Sequence, residues 1–481
     1  MTDQNVYGLM QRADTVGIFQ IESRAQMSIL PKIAPKCFYD IIISIAIVRP
    51  GPIQGNIVHP YLRRRRGDEK VTYLHPSLEP ILKRTLGVPL FQEQGMKLAV
   101  VAAGFTASQA DQLRKVMSHK RSKEKMLQLC GDLAIGMHKN GFDNDAIATI
   151  THQLQAFSSY GFPESHAASF SLLVYASAFL KYYYAPEFFC AILNAQPMGF
   201  YSPATLIRDA AKHGVVVLPV DLSQSLWDCS LQQNGDRLDL RLGLRYVSGL
   251  GERARIALQE AWSKGGPFVS LEDVVERSGL DDADLKLLAK AGAFKGFAGD
   301  RRQSMWQVLS AVRPKRKMPL LEALTGSDEL EDLPVILPAM TPLDEMLSDY
   351  RSMALSTGRH PMSFYRSYAL RNNICSSREL HHMDNNSQVI VAGGAICRQR
   401  PETAKGFVFL TLEDESGMIN IIIKPKIFDA YRSIIMKSSF LKIEGRLQLE
   451  HGVANVIAQT FEVLPPLSDE IVIDMPARNF H

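Results

Sequence analysis

The sequence has no apolar run long enough to cross a membrane. The longest near its start, Ile41–Val48, is far short of the ~20 residues that a spanning helix needs. The opening MTDQNVYGLMQRAD lacks the basic, apolar and small-residue order of a secretory signal, so a cytoplasmic protein without membrane partners is expected. The six cysteines, Cys37, Cys130, Cys190, Cys229, Cys375 and Cys397, include no C-x-x-C pair. That spacing gives no support to a zinc site or a disulfide framework and predicts reduced, mostly buried thiols. There is no G-x-x-x-x-G-K-[ST], no G-x-S-x-G and no H-E-x-x-H, so P-loop, serine-hydrolase and zincin chemistry have no foothold. A strong charge bias is also missing. The formal net charge is +4, so the placement of positive charge carries more information than its sum.

What is present is an ordinary globular composition, 46% hydrophobic and 22% charged, on a chain of 481 residues. Single cores rarely grow beyond ~250–300 residues, so several modules are expected. Residues 1–205 read as mainly helical, with apolar residues at helical spacing through SLLVYASAFLKYYYAPEFFCAIL (171–193). Pro50, Pro52, Gly55 and Pro60 break the early part into short elements. Residues 206–310 combine short β-like pieces (GVVVLPV, DLRLGLRYV) with a compact helical unit. Residues 311–385 begin with five prolines before position 345 and a switch from basic to acidic charge, which predicts a linker and connecting segment. Over 386–465 the period becomes two, in QVIVAGGAIC, GFVFLTLED, MINIIIKP, FLKIEGRLQ and VANVIAQTFEV, with a helical stretch Lys426–Met436 after the third. Five strands in that order predict an OB-fold, which commonly binds single strands. Residues 466–481 form a tail. The fold class is multidomain α+β.

Several constellations bear on chemistry. Gly249-Leu250-Gly251, followed by ERARIALQEA, resembles a helix-hairpin-helix, whose glycines let backbone N–H groups approach a DNA phosphate; Gly249, Gly251 and Arg253 are its candidate contacts. The alanine that usually packs such a hairpin is expected one position after Ala254, and a plain glycine-rich turn is the alternative. Arg63-Arg64-Arg65-Arg66 is a block of cations, as is the set Arg114, Lys115, His119, Lys120, Arg121 and Lys123. Each alone reads as a solvated face; together they fit a protein that grips a polyanion. In Tyr160-Gly161-Phe162-Pro163-Glu164-Ser165-His166, Ser165 is the expected N-cap of the helix that follows. A polymerase centre needs acidic residues that hold two Mg²⁺ ions. The two D-x-D occurrences, Asp143-Asn144-Asp145 and Asp282-Ala283-Asp284, each precede a helical run and are read as helix caps. In the barrel, Arg398, Lys405, Phe407 and Phe409 are the candidates for backbone charge and base stacking.

GIFQIESRAQM (17–27), AIVRPGPIQGNIVHPYLRRRRG (46–67), LGVPLFQEQGMKLA (86–99), LRKVMSHKR (113–121) and YGFPESHAASFSLLVY (160–175) together closely resemble the fingers of C-family bacterial DNA polymerases, the polymerase III alpha-subunit type. The match continues through GLRYVSGLGERA, STGRHPMSFYR (356–366) and the OB-like strands, and covers essentially the whole chain. The wording of the YGFPESHAASF loop and the ending MPARNFH point to the error-prone, damage-induced branch. The resemblance implies translesion DNA synthesis with Mg²⁺, on primer-template and single-stranded template DNA with dNTP. An accessory polymerase-like protein and a sliding clamp are the implied protein partners, although no clear clamp-binding peptide is seen. It makes Arg49, Arg114, Lys115, His119 and Lys120 candidates for triphosphate or primer-template contact, and Tyr160 and His166 candidates for the nucleotide-facing loop. Where replicative relatives commonly carry a basic residue, this loop has Pro163-Glu164. Only sixteen residues precede Gly17. The phosphoesterase-like domain and the palm, with its catalytic aspartates, are therefore expected outside this chain, whether it is a fragment or a split or truncated gene product. On that expectation the chain binds DNA without polymerising it. A stand-alone DNA-binding remnant and an interaction scaffold are the alternatives.

Overall fold

The computed structural model describes residues 1–48, 58–117, 123–156, 162–312, 337–401, 404, 406–450, 453–467 and 477–480. The first part is helical, as its periodicity predicts. Its helices are α1 (Gln4–Gln11), α2 (Arg24–Ile33), α3 (Phe38–Ile47), α4 (Val58–Arg66), α5 (Gln92–Ala103), α6 (Ala107–Met117), α7 (Lys123–Lys139), α8 (Asn144–Ala156), α9 (Glu164–Tyr183), α10 (Ala185–Asn194) and α11 (Pro203–Lys212). The apolar run Ile41–Ile47 is hydrophobic on every side and so becomes a central helix, buried at each of those positions and packed on α9. None of the described helices is long and apolar enough to cross a membrane.

A small sheet follows, in which β1 (Val217–Leu218) lies parallel to β3 (Arg237–Arg241) and β2 (Ser230–Asn234) pairs antiparallel with β3. Next come α12 (Glu252–Gly265), α13 (Leu271–Ser278), α14 (Asp282–Ala291) and α15 (Arg301–Val312). Of the expected linker and connecting segment, residues 311–312 and 337–385 are described. Residues 337–385 are packed, not extended: α16 (Pro342–Met353) opens on a Thr341–Asp344 capping box and buries Met346, Leu347, Tyr350 and Met353. The prolines misled because Pro342 occupies the first helical turn, where a missing N–H costs nothing.

The C-terminal strands β5 (Gln388–Gln399), β6 (Val408–Glu413), β7 (Met418–Ile423), β8 (Phe440–Glu450) and β9 (Val453–Val463) close into the OB barrel in the order β5–β6–β7–β9–β8–β5. The helix α17 (Pro425–Lys437) lies between the third and fourth strands, as the sequence predicts. Strand β5 is shared by four neighbours. Its first half pairs with β8 and with the short β4 (Ile374–Cys375), and its second half with β6 and with β10 (Arg478–Phe480), which runs parallel along Cys397–Gln399.

The modules are bolted together by charge as well as by apolar packing. Arg208 of α11 reaches Glu413 at the end of β6 at 2.5 Å and the hydroxyl of Tyr350 in α16. Burial opposes the Arg208 charge, and Glu413 and Tyr350 more than offset it, so its pKa is raised. Lys181 of α9 is wholly buried between Asp14 at 2.9 Å and Asp209 at 2.7 Å. His213 completes that knot by a 2.8 Å contact from Nε2 to Asp14 Oδ2.

Candidate nucleic-acid interface

The two basic blocks differ from a bare cationic face. Arg64 and Arg65 are structural: Arg64 pairs with Glu69 at 2.9 Å and donates to the Leu86 carbonyl. Arg65 pairs with the buried Asp40 at 2.7 Å and donates to the Ile33 carbonyl. Arg63 is exposed beside Glu69 at 2.8 Å, and Arg66 is half-buried beside Asp68 at 2.9 Å. Arg64 and Arg65 thus help hold α4 against its neighbours, while Arg63 keeps its side chain largely exposed. The acids that follow the run, Asp68 and Glu69, were the available signal. Arg114, half-buried, and Lys115, exposed, lie in the last turn of α6, both 2.8 Å from Asp111, whose carboxyl is held below its usual range by hydrogen bonds from Lys115 and then Arg114. His119, Lys120, Arg49 and Tyr160 lie outside the described residues.

Ser165 does not cap α9. The cap position is Pro163, without a side-chain hydrogen bond, and Glu93 Oε2 accepts the Glu164 N–H at 2.9 Å instead. The Glu164 carboxylate accepts from Tyr39 at 2.7 Å, and Arg84 lies over the Tyr39 ring. His166 is exposed in an edge-to-face row in which its ring lies 5.3 Å from Phe162 and 4.2 Å from Phe170, and Phe170 is 5.1 Å from Phe19. Phe19 comes from the motif at 17–27 and Phe162, His166 and Phe170 from that at 160–175, so the fold joins the two in one aromatic ridge.

At the hairpin, Gly249 has φ +92°, and a Cβ there would meet Leu287 of α14 at 2.9 Å. Gly251 is the N-cap of α12 with no side-chain cap, which leaves first-turn N–H groups for an anion. Ala254 is itself buried. Arg253 is exposed, yet it is bound to Asp281 at 2.5 Å and Asp284 at 2.7 Å. A phosphate would have to compete with two carboxylates for it.

In the barrel, Arg398 is buried. It is 6% exposed, and its guanidinium donates to the carbonyls of Ile435 at 2.7 Å and Ser438 at 2.8 Å, so it ties β5 to the end of α17. Phe409 points outward from β6, half-buried, opposite Ile422 of β7 and Gln399 of β5. Phe407 is half-buried in the loop before β6; Lys405 lies outside the described residues. Asn420 and Asn455, joined at 3.3 Å, extend the outer face of strands two and three, where OB-folds bind oligonucleotides. The alternation in MINIII is the sequence signal that places Asn420 on the outer face.

Among the described residues, acids of both D-x-D regions serve as helix caps. Asp143 caps α8 by accepting the Ala146 N–H at 2.7 Å. The cap of α14 is Asp281, one residue before the D-x-D, which accepts the Asp284 N–H at 2.9 Å. Asp14, Asp209 and His213 converge as metal ligands would, but the Lys181 ammonium already fills the cation's place.

Comparison with known proteins finds a match in each of three regions. Residues 1–141 match the bacterial DNA polymerase III alpha subunit finger domain, residues 214–304 a helix-hairpin-helix motif, and residues 389–464 an OB-fold nucleic acid binding domain. The chain is 45% identical over 487 residues to the error-prone DNA polymerase of Anaeromyxobacter sp. (strain K), covering 100% of this chain and 42% of that protein. It is 45% identical over 487 residues to that of Sinorhizobium medicae (strain WSM419), covering 96% and 43%. With that of Pseudomonas fluorescens (strain Pf0-1) it shares 43% over 480 residues, covering 100% and 46%. The chain thus spans less than half the length of these relatives. With finger, hairpin and OB modules in this order, the chain is similar along its whole length to bacterial error-prone DNA polymerases, and its first part to the finger domain of the bacterial DNA polymerase III alpha subunit.

Proposed function

We propose that this chain serves the DNA-handling part of error-prone DNA synthesis, by nucleotidyl transfer from dNTP to a primer end during translesion repair. The observation that carries this reading is the series of finger, hairpin and barrel modules joined into one body by the Arg208–Glu413–Tyr350 contact. In it, Arg114 and Lys115, with Arg49, His119, Lys120 and Tyr160, meet triphosphate and primer-template, and the His166 ridge lines the nucleotide-facing loop. Gly249 and Gly251 approach duplex phosphates, and Phe407 and Phe409 stack single-stranded template. No ligands for the Mg²⁺ of the reaction are assigned among the described residues; Asp143 and Asp281 cap helices, and Asp14 and Asp209 hold Lys181. A sliding clamp and an accessory polymerase-like protein are the protein partners this role calls for, in the cytoplasm.

The test is primer extension by the purified chain with Mg²⁺ and four dNTPs, with and without a separately expressed palm domain from a relative. Extension only with the palm supports the reading. Extension by the chain alone overturns the assignment of Asp143, Asp145, Asp282 and Asp284 as structural. Salt-sensitive DNA binding without extension in either case favours a DNA-binding remnant.

A further inference from the structure

Beside the hairpin lies a groove of about 910 Å³ between α14, α15 and α16. It touches the hairpin directly: its wall includes Ser248, whose N–H donates to the Ser352 carbonyl at 2.7 Å, and Leu287, which packs on Gly249. Its floor is apolar, and Trp306 on one wall is 46% exposed, the most exposed aromatic side chain of this region. The described lining carries four cations, Lys290, Arg301, Arg302 and Arg351, and no carboxylate. Arg301 is held by Asp349 and by the Glu345 and Ala291 carbonyls, and Arg302 faces Asp344 at 3.6 Å. Lys290 and Arg351 are exposed, and among the described residues neither has an ion-pair partner.

We propose that this groove binds unpaired nucleotides of single-stranded DNA, with one base stacked on Trp306 and its flanking phosphates on Lys290 and Arg351. The inference rests on the DNA-handling reading above and adds a site to it. A concave wall with one indole face suits an unpaired base, because base faces inside a duplex are already stacked. An all-cationic rim suits phosphates, and its phosphate contacts release counterions on binding. Its position continues the hairpin's, so a strand leaving a duplex held at Gly249–Gly251 meets Trp306 next.

Fluorescence anisotropy of the full chain with labelled oligothymidylate and with blunt duplex decides the matter. Trp306→Ala is expected to weaken single-strand binding by roughly tenfold, the scale of one base–aromatic stack, with duplex affinity held within about twofold. Trp306→Phe restores most of the loss. The double variant Lys290→Glu/Arg351→Glu, at exposed positions that leave folding intact, reduces the salt slope of single-strand binding by at least about 1.4, from about 0.7 per phosphate. Unchanged single-strand affinity and slope with normal duplex binding overturn the groove site and point to another occupant, such as an acidic peptide. Equal loss on both DNAs overturns it too, as a structural effect. A wild-type chain that binds neither DNA overturns the DNA-handling reading itself.

Discussion

A lysine in an apolar helix is a weak signal in sequence and a strong one in the fold. Lys181 sits within SLLVYASAFLKYYYA, and nothing in that run discloses that Asp14 and Asp209, from two other elements, meet its ammonium. Replacing it with methionine leaves the buried Asp209 without its cation and Asp14 with His213 alone, and the expected cost is about 3–5 kcal/mol, read as a lowered denaturation midpoint. His213 adds pH dependence to the same knot. Burial disfavours its charge, but the hydrogen bond and charge of Asp14 prevail, so its pKa is raised, and Asp14 is held well below the carboxylate range by His213 and Lys181 against its own burial. A raised histidine stabilises fully below its unfolded value of about 6.5, and the gain is lost as pH rises through the folded pKa. A lowered aspartate stabilises above about 3.9 and fails as pH falls through its folded pKa. The pair therefore contributes most between those limits, and His213→Gln should flatten the decline of thermal stability from pH 6 to 8; an unchanged profile counts against the pairing. Arg398 teaches the converse. Its residue type suggested DNA, whereas its position in a strand whose second half is covered on both sides dictated burial.

Single elements were the most legible level. The period of two gave every barrel strand and its helix, since one face of each strand must be dry, and the 3.6-residue period gave the helical first part. The hairpin was visible through Gly249, whose φ of +92° and 2.9 Å approach to Leu287 leave no room for a side chain. Gly249→Ala should cost at least about 1–2 kcal/mol of local stability and weaken duplex binding more than single-strand binding by the barrel, as separate anisotropy titrations would show. Phe409→Ala, on the barrel's outer face, should do the reverse, lowering single-strand affinity by about 1–3 kcal/mol with no change in melting temperature. The connecting helix α16 was not legible, because prolines that end one helix also start another, and only tertiary packing distinguishes the two.

Across the whole molecule, the sequence announced the modules in order but not how they are locked. Arg208 and Glu413 are 205 positions apart, beyond any periodic pattern, yet they form the contact on which first part, connecting helix and barrel converge. Glu413→Ala should leave each module folded but split thermal unfolding into separate transitions, with earlier protease cleavage between the helical part and the barrel; one undivided transition would show that apolar packing alone suffices. The long first barrel strand has a further consequence. It bends away from β8 after Gly394, and β10 takes the place left along Cys397–Gln399. Without residues 477–481 that row of amide and carbonyl groups would be an open hem to which any extended chain could be stitched, a second copy of the barrel included. The final strand thus guards solubility: a shortened protein would be lost to self-association before any defect in DNA binding could be seen.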